Sequence, residues 1–206
     1  MPFLKSIPVN PQTTVYVWKI DESMDYFSSI SLNNNSKERL KAMRSETHQK
    51  GFLSIRKLLE IAGYGDDELY YNQEGKPFLK DGTHISISHS YEFAALIMSD
   101  QPVGIDIEKN RNKIVKIASK FVGTEQSYVD KLNPLAQLSV IWGGKEALYK
   151  IVETPGISFK NAIHIAPFTL KNLKAEAYTL IENIKTEYTI HFETLDNFTL
   201  VYALKK

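Results

Sequence analysis

Asp100-Gln101-Pro102 breaks the chain near its middle, and the segments on either side run through the same order of elements twice. In the first half, residues 14–20 alternate and are rich in β-branched and aromatic side chains, the pattern of a half-buried strand. Residues 24–32 have the length of a short helix, closed by Asn33-Asn34-Asn35. Ser36 is placed to cap a helix to about Arg44. Ser45 is placed to cap a second helix, with Phe52, Ile55, Leu59 and Ala62 on its apolar stripe and Gly63-Tyr64-Gly65 ending it. Strands are expected at 68–72, 84–88 and 93–99, with turns at 73–77 and Asp81-Gly82 and a link at 88–92. The second half repeats the order: a strand at 103–107, helices at 113–121, 124–131 and 134–152, a stop at Pro155-Gly156, then strands at 176–182, 187–193 and 198–204. No residue-level repeat accompanies this symmetry. Strands and helices segregated in this way predict an α+β fold of two halves, 1–101 and 102–206, rather than a doubly wound sheet.

A chain of 206 residues is long enough to bury a core in each half. Its net charge of +1 supplies no global field toward nucleic acid or a membrane surface, so neither is expected as a partner. The absence of cysteine excludes disulfides, zinc-thiolate sites and thiol nucleophiles. Residues 1–10 hold one lysine and two prolines and no long apolar run, which is not the composition of a signal peptide. No stretch approaches the ~20 apolar residues that span a bilayer. The expectation is a cytoplasmic protein.

Two short segments carry the chemistry. In Val103-Gly104-Ile105-Asp106-Ile107-Glu108, strand alternation puts Asp106 and Glu108 on one face and the aliphatic residues on the other. That face is either a solvated polar surface or a pair of oxygen ligands for a hard divalent cation. Gly104 marks a close approach of another backbone or a ligand. In Trp142-Gly143-Gly144-Lys145-Glu146-Ala147-Leu148-Tyr149-Lys150, a helical wheel places Glu146, Lys150 and Gly143 on one side. Glu146 and Lys150 read alone are an i,i+4 surface pair. Lys145 falls beside the apolar stripe, where a lysine needs a partner, must snorkel, or must shift its pKa. Gly143 and Gly144 each cost a helix about 1 kcal/mol relative to alanine, so something packs or binds closely against them. Trp142 reads as core.

Taken together, these residues resemble the 4′-phosphopantetheinyl transferase superfamily, in its single-chain, double-domain form. The family pattern G-x-D-x-E followed by W-x-x-K-E-x-x-x-K is met by Gly104, Asp106, Glu108, Trp142, Lys145, Glu146 and Lys150. Gly75-Lys76-Pro77, Ile87-Ser88-His89-Ser90 and the Phe121 to Glu125 spacing match three further segments in order, so the resemblance covers about residues 36–160. Gly143-Gly144 stand where the family has larger residues, and the Phe121 segment lacks a common second aromatic.

The resemblance implies a pseudo-dimer of two similar α+β halves with the active site between them. It implies Mg²⁺ as cofactor, coenzyme A as co-substrate, and an apo acyl or peptidyl carrier protein as partner. Asp106, Glu108 and Glu146 are then the metal ligands. Glu146, Lys150 and Lys145 are the catalytic groups, with Glu146 as base, ligand or both. Lys76, Ser88 and His89 match positions that contact the coenzyme; read alone, they are a solvated turn lysine and a polar hairpin loop. The basic run from Ser36 to Lys57 offers Lys50 and Arg56 for the coenzyme, or is a solvated helix face. A built-in second half predicts a monomer. A non-catalytic coenzyme A or carrier-protein binder of this fold would be signalled by loss of a metal carboxylate, and all three are present. A metal-dependent phosphohydrolase would need ligand-spaced histidines, which the five histidines do not form.

Overall fold

The N-terminal prolines conceal the first strand. β1 (Phe3–Asn10) pairs antiparallel with β2 (Thr13–Lys19). Pro8 removes a backbone donor, which a strand tolerates at a sheet edge, and β1 is an edge strand. This computed structural model describes residues 3–152 and 154–206, and the chain divides into two units, Met1–Asp100 and Gln101–Lys206.

In the first unit, α1 (Asn34–Ala42) and α2 (Glu46–Ile61) follow β2. The cap of α1 is Asn33, whose side chain accepts from the Ser36 N–H at 2.8 Å. Ser36 itself is turned inward, with its hydroxyl donating to Asp66 at 2.9 Å. The expected 24–32 helix shrinks to a 3₁₀ turn at Met24–Ser29 that buries Phe27, since so short a segment cannot meet the cost of helix nucleation. β3 (Leu69–Tyr71) and β4 (Pro77–Leu79) form a small hairpin. β5 (His84–Ser90) and β6 (Phe93–Ser99) form another, so Ser88-His89-Ser90 extends the strand and the turn begins at Tyr91. The sheet order is β1-β2-β6-β5. Phe52, Ile55, Leu58 and Leu59 of α2 bury into a core with Ile85, Ala94 and Leu96.

In the second unit, β7 (Val103–Lys109) leads through α3 (Lys113–Ile117) to α4 (Leu135–Val152). α5 (Phe159–Ala162), β8 (Ile163–Ile165), β9 (Lys174–Ile181), β10 (Ile184–Leu195) and β11 (Phe198–Lys205) complete it. The antiparallel sheet runs β7-β11-β10-β9-β8, with α4 packed on it. β8 has three residues, too few for alternation to mark it in the sequence. The expected 124–131 helix is only a 3₁₀ turn at Thr124–Ser127, because Glu125 is drawn into the interior.

The two units repeat one topology. Strand, helix and two further strands are ordered β2-β6-β5 in the first and β7-β11-β10 in the second. In both, the last strand of the trio lies in the middle. Among the described residues, no helix is long and apolar enough to cross a membrane.

Candidate active site

β7 is the edge strand beneath α4, and glycine permits their close approach. A Cβ built on Gly104 would overlap the carbonyl oxygen of Ala147, so helix backbone lies where any side chain would stand. Gly104→Ala is therefore expected to cost about 1–3 kcal/mol, as overpacking does. A shift of the urea midpoint at unchanged slope would measure it, and an unshifted midpoint would refute it. The two helix glycines serve the same packing. A Cβ on Gly143 would lie 2.7 Å from Val201 Cγ2, and one on Gly144 3.0 Å from Ile190 Cδ1. The space at Gly143 and Gly144 is thus filled by the sheet, so of the two expected alternatives it is close packing that the glycines serve.

This packing sets Asp106 beside α4. Asp106 pairs in register with Val201, so both point to the helix side of the sheet, and Asp106 Oδ2 comes within 3.7 Å of the Gly143 Cβ position. Asp106 is 8% exposed. Lys150, one turn after Glu146, donates to Asp106 Oδ1 at 3.1 Å and to the Ile105 carbonyl at 2.7 Å. Glu108 accepts from Arg111 Nη2 at 2.9 Å. Burial pushes the Glu146 carboxyl up to about 7; the charges of Asp106 and Glu108 push the same way, and Lys150 partly offsets them. Asp106, Glu108, Glu146 and Lys150 thus form one electrostatic unit with excess negative charge. Among the described residues, no three histidine, cysteine or carboxylate side chains enclose an ion-sized space. The closed three-carboxylate shell implied by the resemblance is therefore not formed as the side chains stand; Mg²⁺ needs only one or two carboxylates and fills its shell with water and phosphate oxygens, which this set can still supply.

Lys145 is placed elsewhere. It is fully buried, pairs with Glu125 Oε1 at 2.8 Å, and donates to the carbonyls of Phe121 and Phe159 at 2.8 Å each. An ammonium has three donors, and these acceptors take all of them. Glu125 also accepts from the N–H of Gly123 at 2.8 Å and of Ile165 at 3.1 Å. Burial raises the Glu125 carboxyl, but Lys145 and those N–H groups outweigh it and hold the carboxyl below its ordinary value. The catalytic role expected for Lys145 is withdrawn: it braces α4 against the loops at 121–125 and 159. Its position on the apolar stripe did signal that it needed a partner, but not which one. Trp142 packs on Phe121 and Phe159 at 5.1 and 5.7 Å between ring centroids, joining this core as expected. Arg111 was not foreseen. It reaches Glu108 from beyond the strand, where helical spacing gives no clue.

The coenzyme candidates lie in the first unit. Arg56 is 2% exposed, bonds Asp66 at 3.0 Å and Ser36 at 3.1 Å, and stacks 3.5 Å over the Phe52 ring. It is a core group, so the expectation that it contacts the coenzyme is withdrawn. Lys50 stands near the start of α2, paired with Glu46 at 2.8 Å. Ser88 and His89 lie at the end of β5, and the His89 ring rests on Gly51. Lys76 lies in the turn before β4, its ammonium 5.7 Å from the Phe78 ring.

A strand carboxylate pair locked by glycine to a helix carrying Glu146 and Lys150, in a twice-repeated α+β frame, defines a class. The chain belongs to the 4′-phosphopantetheinyl transferase superfamily, whose sequence model matches residues 102–203, nearly all of the second unit. It is 33% identical over 136 residues to 4′-phosphopantetheinyl transferase gsp of Aneurinibacillus migulanus, an alignment covering 58% of this chain and 56% of that protein. It is 30% identical over 141 residues to 4′-phosphopantetheinyl transferase Sfp of Bacillus subtilis strain 168, covering 63% of each. The matched region is thus about three-fifths of the length of these curated relatives.

Proposed function

We propose that this protein transfers the 4′-phosphopantetheine arm of coenzyme A to a serine of an apo acyl or peptidyl carrier protein and releases 3′,5′-ADP. The observation that carries this reading is the coupled set of Asp106, Glu108, Glu146 and Lys150, held by β7 and α4 within the segment that matches the superfamily. Asp106, Glu108 and Glu146 would hold Mg²⁺, which when bound supplies charge to offset that developing on a pyrophosphate. Lys150 adds a positive charge for the leaving phosphate. Glu146 is also the candidate base, directly or through water, for the proton of the serine hydroxyl as its oxygen bonds the β-phosphorus and the bond to the departing 3′,5′-ADP breaks. Lys76, Ser88, His89 and Lys50 are the candidates for the phosphates and adenosine part of the coenzyme.

Purified protein given coenzyme A, Mg²⁺ and an apo carrier protein is expected to add one phosphopantetheine arm to it, read by intact mass. No addition across several carrier proteins, beside a working control enzyme, would overturn the proposal.

The raised pKa of Glu146 also sets a pH dependence. Below about 7 this carboxyl holds a proton that a cation must displace. Mn²⁺ affinity is expected to rise with pH and level off above about 7, and to be about tenfold weaker at pH 6 than on the plateau, one pKa unit being tenfold. Calorimetric titrations at pH 6 and 8 check this, and equal affinities would refute it. The sign is opposite for the metal-free fold. Because the folded pKa lies above the ordinary 4.5, Glu146 contributes stability at low pH that is lost as pH rises from 4.5 toward 7. Glu125, held low, contributes stability above its ordinary pKa that is lost in acid.

A further inference from the structure

Gly51 lies inside the sixteen-residue helix α2, where glycine costs about 1 kcal/mol relative to alanine. Nothing in the helix itself calls for it, because the backbone there is regular and no positive φ is involved. What requires it is His89. A Cβ built on Gly51 would stand 2.6 Å from His89 Nδ1, 2.8 Å from Cγ and 3.1 Å from Cε1, so one edge of the imidazole fills the place of a methyl group. His48, one turn earlier on the same helix, sets its own ring edge-on at 6.2 Å from the His89 ring. His89 is otherwise exposed, at the end of edge strand β5. Here the helix surface supplies a flat seat on one side and His48 a second wall.

We propose that Gly51 is a positioning residue, with His48 as its support, that holds the His89 imidazole in one orientation for an anionic oxygen of coenzyme A. This rests on the reading of His89 as a coenzyme contact. Because the ring ends a side chain that can turn about its own bonds while Gly51 lies inside a continuous helix, a methyl group at residue 51 displaces the ring rather than the helix. An ordinary carbon contact of about 3.5–4.0 Å moves it roughly 1 Å. Misplacement of that size can cost about 10²-fold in a binding or catalytic contact.

The test is a double-mutant cycle on coenzyme A binding, by calorimetry with coenzyme A and with 3′,5′-ADP, using Gly51→Ala, His89→Ala and the pair together. Gly51→Ala is expected to weaken coenzyme A binding tenfold or more, within the range of about 10²-fold for a misplaced group. In the His89→Ala background it should cost nothing further, since the ring it displaces is gone. The double variant also has room for the methyl group, so its thermal midpoint separates misfolding from misplacement. His48→Ala should weaken binding in the same direction by a smaller factor and shift the His89 ring resonances. Equal losses with and without His89 would overturn the proposal, as would Gly51→Ala binding coenzyme A like the parent. If His89→Ala leaves coenzyme A binding intact, the assignment of His89 itself fails and the proposal with it. If no variant, nor the parent, binds coenzyme A, the failure lies in the proposed function; unchanged His89 ring resonances in Gly51→Ala would then refute the positioning role on its own.

Discussion

Lys145→Met is expected to destabilise the protein by about 3–5 kcal/mol, the cost of leaving one member of a buried ion pair uncompensated. Glu125 is fully buried, and without Lys145 it keeps, among the described residues, two backbone N–H donors against its charge. The carbonyls of Phe121 and Phe159 lose their donor in the same step. For a domain whose whole stability is about 5–15 kcal/mol, such a loss approaches unfolding. Glu125→Gln alone should be nearly as damaging, because it leaves the ammonium buried without a counter-charge. The double variant Glu125→Gln, Lys145→Met should recover part of the loss, because neutral groups of similar shape carry no desolvated charge. Guanidinium unfolding of all three measures this. A Lys145→Met protein that unfolds at the parent's midpoint but has lost transfer would restore Lys145 to the chemistry and sink the structural assignment.

Asp106→Ala carries the largest expected effect on activity, a fall in transfer rate of at least about 10²–10³-fold, the range for removal of one preorganised electrostatic group. Asp106 bonds Lys150 and raises the Glu146 pKa, so its removal disturbs two other groups at once. With Asp106 gone, one of the charges that hold the Glu146 proton is lost, and Glu146 should titrate lower. Glu146→Gln should match the loss in rate, and should also abolish the rise of Mn²⁺ affinity with pH. Both variants are expected to remain folded, because without Asp106 the partly exposed Lys150 ammonium still bonds the Ile105 carbonyl, and Glu146 is only half-buried. Circular dichroism and a thermal midpoint check that. Transfer by Asp106→Ala within a few-fold of the parent would remove Asp106 from the site.

Much of the frame was legible in the chain. Strand alternation over Val103–Lys109 and the long helical period over Leu135–Val152 are each local, so β7 and α4 were found nearly to the residue. Misses fell where a tertiary partner overrode local preference. β1 contains Pro8 but lies at an edge; the 124–131 helix gave way because Glu125 turned inward; Asn33 capped α1 because Ser36 was taken by Asp66 and Arg56. The carboxylates and Lys150 were legible from type and spacing. Arg111, Gly51 and His48 were not, since each acts on a residue that no period relates to it.

The sequence by itself determined which groups could do chemistry: a strand pair of acids, a helical Glu146 and Lys150 one turn apart, and no thiol. Periodicity fixes the face a side chain takes, and that information is complete in a few residues. Only the tertiary structure decided which charges serve the site and which serve the fold. Lys145 and Glu146 are neighbours in sequence, yet about 100° of helical rotation sends one into a closed pocket of acceptors and leaves the other beside Asp106 and Glu108. Arg56 and Lys50 divide in the same way on α2. A charge becomes structural when the chain folds a counter-charge and carbonyls around it, and those partners come from segments that local sequence does not relate.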